Sequence, residues 1–558
     1  MQSFSGALHQ RWRAPRHFWA AGLVSVLLAG LSGLGCRPTQ SAADLVIANG
    51  TEPETLDPAI ATGVSEMRIT KALFEGLLRI DGKTGLPIAG LAERWEVTPD
   101  GKTYTFYLRT NAAWSTGTSI TSEDVVYSWL RALHPSTAGD YAGQLFYIRN
   151  AEAYNAGKVQ PQQVGIRTRG SYQLEVDLDY PISFFPDLCC YPTLAVVPRQ
   201  AIESLGDRWL SYRPLPCSGP YFLKEWRLND RVRIQKNPFY YAAASTHTDT
   251  VDLLPVGSPN VALNLYESGV ADIIWDKDLI PTELMDLLKR RSDLHNDPFL
   301  GTCFYRFNVL RRPFNDVRVR KALALATDRL KLVRKLAVAG ERPAFHFVPD
   351  GTANYKAPAG LAFDPVAARK LLAEAGYADG QGFPRFAYSF YSAAAGGARM
   401  QEKIAVELQQ MWQAELGIRM ELRQIERKVF FVAQSRLDFE MSASSWVGDY
   451  NDANTFLDLF LGNSGNNRTG WTNSAYDGLL RKANAQLDGP ARGALLAQAE
   501  KILIENDVPI VPLYFYAGFS LYDPKRVTGI YPNLLDEHPI QDIVVTRQRL
   551  ANTEGGNR

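Results

Sequence analysis

"MQEKIAVELQQMWQAELGIRMELRQI", residues 400–425, changes period partway along. Its first part puts Ile404, Leu408, Met411 and Trp412 on one helical face. Its second part, "IRMELRQI", alternates apolar and polar residues with the period of a strand. The same order recurs around it. "DPVAARKLLAEAGY" (364–377) reads as a helix with Asp364 as cap, Pro365 in the first helical position and Gly376 to close it. "TNSAYDGLLRKANAQL" (472–487) is a further helix, capped by Asn473 or Ser474. Toward the N-terminus, "DLVIANG" (44–50) and "KTYTFYLR" (102–109) read as strands. "SEMRITKALFEGLL" (65–78) is expected to be a helix with Ile69, Leu73 and Leu77 on one stripe. "SITSEDVVYSWLRAL" (119–133) is expected to be a helix capped at Thr121 or Ser122. Helices and strands repeated in this way argue an α/β sheet protein.

Length and charge narrow the function. At 558 residues the chain exceeds one ordinary domain. Sixty basic residues against 59 acidic ones leave a net charge of +1, which gives no electrostatic basis for nucleic-acid binding. The N-terminus departs from this balance. No acid precedes Asp44, and Arg11, Arg13 and Arg16 lead into an apolar run from Phe18 to Gly35, the shape of a secretory signal over residues 1–35. The run ends "LSGLGC", which resembles the lipobox of bacterial lipoproteins, although Gly33 stands where leucine is usual. The resemblance implies lipidation of Cys36, a tether over 36–42 and a membrane anchor; a plain signal peptide or an uncleaved anchor are the alternatives. No later stretch has enough consecutive apolar residues to span a membrane. Cys189, Cys190, Cys217 and Cys303 remain, and a bridge between Cys217 and Cys189 or Cys190 is the expected pairing.

Nothing nominates an enzyme. The seven histidines are scattered, and neither HExxH nor CxxC occurs, so neither a metal site nor a cofactor is expected. "GLLRIDGKT" has one residue too many for a phosphate loop. "SSWVGDYNDANTF" (444–456) is more informative. It sets Asp449 between Trp446 and Tyr450 in a loop leaving a strand, as a solvated acid or as a socket for a cationic group.

Five blocks together carry a resemblance: "NGTEPETLDP" (49–58), "AERWEVTPDGKTYTFYLRTNAAWSTGTSITSEDVVYSW" (92–129), "PFNDVRVRKALALATDR" (313–329), "ARKLLAEAGY" (368–377) and "SSWVGDYNDANTF". In order and spacing, over about residues 43–550, they resemble the extracytoplasmic solute-binding proteins of family 5. These are the dipeptide and oligopeptide binders of ABC importers, and the oligopeptide branch is matched in detail. The resemblance implies a type II periplasmic-binding-protein-like α/β fold, with two lobes joined by a hinge plus an inserted third lobe. Lobe I would combine 43–74, 200–300 and 517–550; the inserted lobe II would be 75–199, lobe III 301–516, and 551–558 a tail.

The resemblance also implies roles. Asp449 would receive the α-ammonium of a peptide, without help from an acid near Thr62, where relatives often have one. The strand Ser442–Trp446, with Ser445 and Val447, and the backbone near Val64 would meet the ligand's amides. Tyr141, Trp446 and the Tyr514–Tyr516 region would wall the site. Gln434 and Ala443 stand where well-known members carry arginines aimed at the ligand's carboxylate, so Arg306 or Arg436 is expected to take an acidic end or side chain. The implied partners are peptides and the permease and ATPase subunits of an importer. The implied state is a monomer held in the periplasm or at the cell surface. A cell-wall peptide, a nickel complex, an oligosaccharide or a sensing role are the alternatives.

Overall fold

The computed structural model of the chain describes residues 42–336, 340–392 and 397–546. The signal segment 1–35, Cys36 and the tail 551–558 lie outside the described residues. The described residues from Asp44 to Thr546 form one compact unit.

The α/β expectation holds. Residues 400–425 form the end of a helix, Gly397–Leu416, and most of a strand, Met420–Glu426. Ile404, Leu408, Met411 and Trp412 are all buried, as a one-sided helix requires. Gly417, at φ +68°, turns the chain between them; a Cβ there would lie 2.5 Å from the Asp379 carbonyl oxygen. The strand returns parallel to Phe386–Ser392, completing a strand–helix–strand crossover.

Among the described residues these strands belong to an eleven-stranded mixed sheet, one strand of which, Arg342–Pro343, pairs off the main path with Ile510–Tyr522. Two long strands run through its middle, Leu294–Phe307 and Ile510–Tyr522, paired antiparallel. On one side of them stand Met441–Val447, Phe386–Ser392 and Met420–Glu426. On the other stand Ile273–Ile274, Leu45–Ala48, Thr250–Leu254, Arg231–Lys236 and Tyr221–Arg227. The long pair loses register between Pro298 and Thr302. A separate four-stranded antiparallel sheet lies within residues 92–177. Its core is built around Phe106, Trp129 and Phe185.

Two local expectations change. The helix expected over 65–78 spans Val64–Leu73 and stops where Phe74 turns extended, so Leu77 leaves the helical stripe. Leu78 already begins a strand, Leu78–Ile80, because the chain must pair with Pro87–Ala89. At the helix Ser122–Leu133, the Asp124 carboxylate reaches back to accept from the Thr121 N–H at 2.8 Å, rather than the cap hydroxyl serving alone.

The expected bridge is not formed: Cys189, Cys190 and Cys217 are free thiols. Cys189 is buried in the core of the four-stranded sheet, whereas Cys217 is buried in the core that holds Leu45, Ile47 and Tyr221. Cys217 Sγ donates instead to the Leu215 carbonyl at 3.6 Å, and Cys190 Sγ to Pro186 O at 3.4 Å. Among the described residues no helix is long and apolar enough to cross a membrane.

Candidate functional site

A cleft of about 570 Å³ is lined from well-separated parts of the chain. The helix Val64–Leu73 and the segment after it form one wall. Tyr141 and Asp187–Tyr191 form another, Trp275–Asp278 the floor, Ser445–Tyr450 the facing wall and Leu535–Gln541 the rim. Val64, Tyr141, Ser445, Trp446, Val447 and Asp449 therefore come together, though they are spread over almost 400 positions of the sequence.

The strand Met441–Val447 explains the facing wall. It pairs along its length with Leu294–Phe307, Gly301 opposite Val447 and Phe307 opposite Met441. Its other edge pairs with Phe386–Ser392 only at Met441 and Ser442. Among the described residues, Ser444 to Val447 have no strand on that second edge, so alternate backbone N–H and C=O groups lack a ladder partner. Val447 and Val64, both lining the cleft, expose 48% and 61% of their surface and so leave apolar area open to it.

Asp449 follows this strand. Its backbone N–H donates to Thr455 Oγ1 at 3.1 Å. Its carboxylate has neither a hydrogen bond nor an ion pair among the described residues, and burial pushes it up to about 6. The neighbouring acid Asp452 differs, being paired with the Arg492 guanidinium. Tyr450 anchors the loop by stacking on Phe184, with ring centroids 4.9 Å apart and planes at 6°. Tyr141, whose ring meets that of Tyr191 at 5.2 Å, lies within electrostatic range of Asp449. A half-buried carboxylate with no counter-charge is unstable by itself and suits a cation brought from outside.

Arg306 and Arg436 do not line the cleft. Arg306 is buried and turned into the protein. It donates from Nε to Ser444 Oγ at 2.7 Å and from Nη1 to the carbonyls of Asn466 and Asn467 at 3.2 and 3.1 Å. Burial, with Arg468 nearby, pushes it down to about 9. Arg436 ends the helix Arg427–Ser435 on the exposed surface. Tyr514 is buried in a hydrophobic core and does not line the cleft, whereas Tyr516 is partly buried and meets the cleft residues Ser445 and Lys277; Phe299 lines the cleft directly. Gln434 is buried too, donating from Nε2 to Ser442 Oγ at 2.8 Å.

Sequence reasoning missed several cleft residues. Lys71 pairs with Glu537, 466 positions away. Arg68 lies over the Trp275 ring at 5.5 Å. Asp187 is pushed up to about 8 by burial, with Asp452 adding to the rise. No local pattern marks these positions, since only tertiary contact brings them to the cleft. Among the described residues no group of three or more His, Cys, Asp or Glu could hold a metal ion.

Comparison with known proteins places this architecture. Residues 87–468 match the bacterial extracellular solute-binding proteins, family 5 Middle. This chain belongs to that family. It is 35% identical over 523 residues to the periplasmic oligopeptide-binding protein OppA of Salmonella typhimurium, covering 90% of this chain and 94% of that protein. It is 34% identical over 503 residues to the probable deoxycholate-binding periplasmic protein YgiS of Escherichia coli, covering 86% and 90%. Among solved structures, the Haemophilus influenzae OppA complex with RPPGFSPFR superposes with a TM-score of 0.73 at 30% identity, covering 90% of this chain and 99% of that one. The fold of this family-5 chain is accordingly the type II periplasmic-binding-protein α/β fold.

Proposed function

We propose that this family-5 protein captures peptides in the cleft and delivers them to an ABC permease. The observation that carries the reading is Asp449, an unpaired carboxylate lining the cleft at the end of a strand with an open edge. Its carboxylate receives the α-ammonium. The open edge of Ser444–Val447 adds the peptide as an extra strand, with the backbone near Val64 opposite, and the exposed valines cover its side chains. Such a site holds the constant parts of a peptide firmly and the variable parts loosely. The names of the OppA relatives support it.

The lobes of the reading are 43–74 with 200–300 and 517–550, and 301–516, with 75–199 inserted. Their hinge lies where the long strands lose register at Pro298–Thr302. Cys36 carries a lipid that holds a monomer in the periplasm or at the cell surface, and the protein performs no catalysis. A second reading rests on the YgiS relative and the apolar surface of Val64 and Val447: a non-peptide amphiphile fills the cleft. The free acid of Asp449 opposes an anionic bile acid there.

Native mass spectrometry of the purified protein, followed by release and sequencing of its bound material, separates the two. A mixed set of short peptides, lost in Asp449→Ala, supports peptide capture. A single non-peptide compound overturns it.

A further inference from the structure

Four cations line the cleft: Arg68, Lys71, Arg79 and Lys277. Three are already engaged. Lys71 pairs with Glu537, and Lys277 with Asp278 at 2.9 Å. Arg68 donates to the carbonyls of Asn49 and Trp275 at 3.4 and 3.3 Å while lying over the indole. Arg79 is different. Its side chain has no carboxylate within ion-pair distance and makes no hydrogen bond among the described residues, and its Nε is buried without an acceptor.

The placement of Arg79 follows from strand alternation. Leu78 turns into the core of the four-stranded sheet. Arg79, next along the short strand Leu78–Ile80, faces the other way. The groups that act on it electrostatically are Glu75, Tyr240, Tyr241 and Asp542. Glu75 is buried, its Oε1 accepting from Tyr240 Oη at 2.6 Å and Tyr241 Oη at 3.2 Å while its Oε2 has no hydrogen-bond partner among the described residues. Glu75 and Asp542 act on the guanidinium through space, without a hydrogen bond to it among the described residues. A planar fork of donors left without an acceptor in a cleft matches one chemical class best, a carboxylate.

We propose that Arg79 is a specificity-determining residue that receives an anionic group of the bound ligand, a terminal carboxylate or an acidic side chain. The inference rests on the peptide reading and extends it. The cleft then offers Asp449 for the cation and Arg79 for the anion. Neither of the arginines named from sequence, Arg306 and Arg436, supplies the second pole, because neither reaches the cleft.

The test titrates the full chain, in mild detergent, with four probes. Two are an alanine tetrapeptide as free acid and as C-terminal amide. Two are amidated tetrapeptides carrying one glutamate or one glutamine. The wild type is expected to prefer an anionic probe over its neutral partner by about tenfold or more. Preference for the free acid assigns Arg79 to the chain terminus, and preference for glutamate assigns it to a side chain. Arg79→Gln is expected to erase the preference and Arg79→Lys to keep part of it, with the neutral probes binding as before. A preference that survives in Arg79→Gln overturns the inference, and so does an equal loss for neutral and anionic probes, which is what a counter-charge for Glu75 and Asp542 would give. A wild type that binds peptides with no anion preference overturns it whatever the variants do, and leaves peptide capture standing. A wild type that binds no peptide overturns both.

Discussion

Arg306 and Asp449 lie along the same pair of strands and have opposite fates. Arg306, opposite Ser442 in the ladder, is buried with three acceptors around its guanidinium. Asp449, just beyond the end of the partner strand, is half-buried with no hydrogen-bond donor or cation at its carboxylate among the described residues. Both are charges taken partly out of water, and each is pushed toward its neutral form by burial. The difference lies in what the protein provides. A cation ringed by carbonyls and a hydroxyl is a structural brace, whereas an anion left unpaired beside a cleft waits for an external partner. Partner geometry, rather than charge or proximity in sequence, tells a brace from a binding group.

The contrast can be broken in order of expected effect. Arg306→Met removes the donor for the carbonyls of Asn466 and Asn467 and for Ser444. It should lower unfolding stability by about 3 kcal/mol in denaturant titration, while peptide affinity stays within about twofold. A collapse of affinity with stability intact would make Arg306 a ligand group after all. Asp449→Asn should do the reverse. It should weaken peptides with a free amino terminus by about 30- to 100-fold in calorimetry. The ligand-free protein should become more stable at pH 7, by on the order of 1 kcal/mol.

The sign of that gain follows from the raised value. The Asp449 carboxyl titrates near 6 in the fold against an ordinary 3.8, so its stabilising contribution is present below 3.8 and is lost as pH rises through 6. Ligand affinity runs the other way, because the ammonium needs the ionised acid. Acidifying from pH 7 to 5 should weaken free-amine peptides by up to about tenfold per unit once below 6, and Asp449→Asn should flatten that profile. A wild-type profile already flat across this range would remove the acid from the binding step. The smallest effect concerns the cysteines. Reductant should move the melting temperature by less than about 1 °C, because no bridge closes a loop of the unfolded chain. A drop of several degrees would restore the Cys217 pairing.

Much of the fold was legible because it is local. The helix and strand of 400–425 follow from their period, and Gly417 marks the break between them. The helix over 65–78 was overdrawn because apolar spacing continues through Leu77, where pairing with Pro87–Ala89 takes the chain into a strand. At the site, Asp449, Trp446, Ser445, Val447, Val64 and Tyr141 were found through motifs and do line the cleft. Arg306, Arg436, Tyr514 and the Cys217 bridge were misjudged for one shared reason. Each depends on which way a side chain faces or which core holds it, and strand alternation in an irregular ladder does not fix that. Arg79 escaped for the same reason. A lone arginine in a short strand carries no pattern, and its lack of partners exists only in three dimensions.

The central claim is that Asp449 holds a cationic amino terminus. It is tested most directly by titrating the wild-type protein at pH 7 with one tetrapeptide in two forms, with a free amino terminus and with an acetylated one. The free form should bind at least about tenfold more tightly. Equal affinity for the two would contradict the claim, since acetylation removes the one charge the Asp449 carboxylate is there to meet.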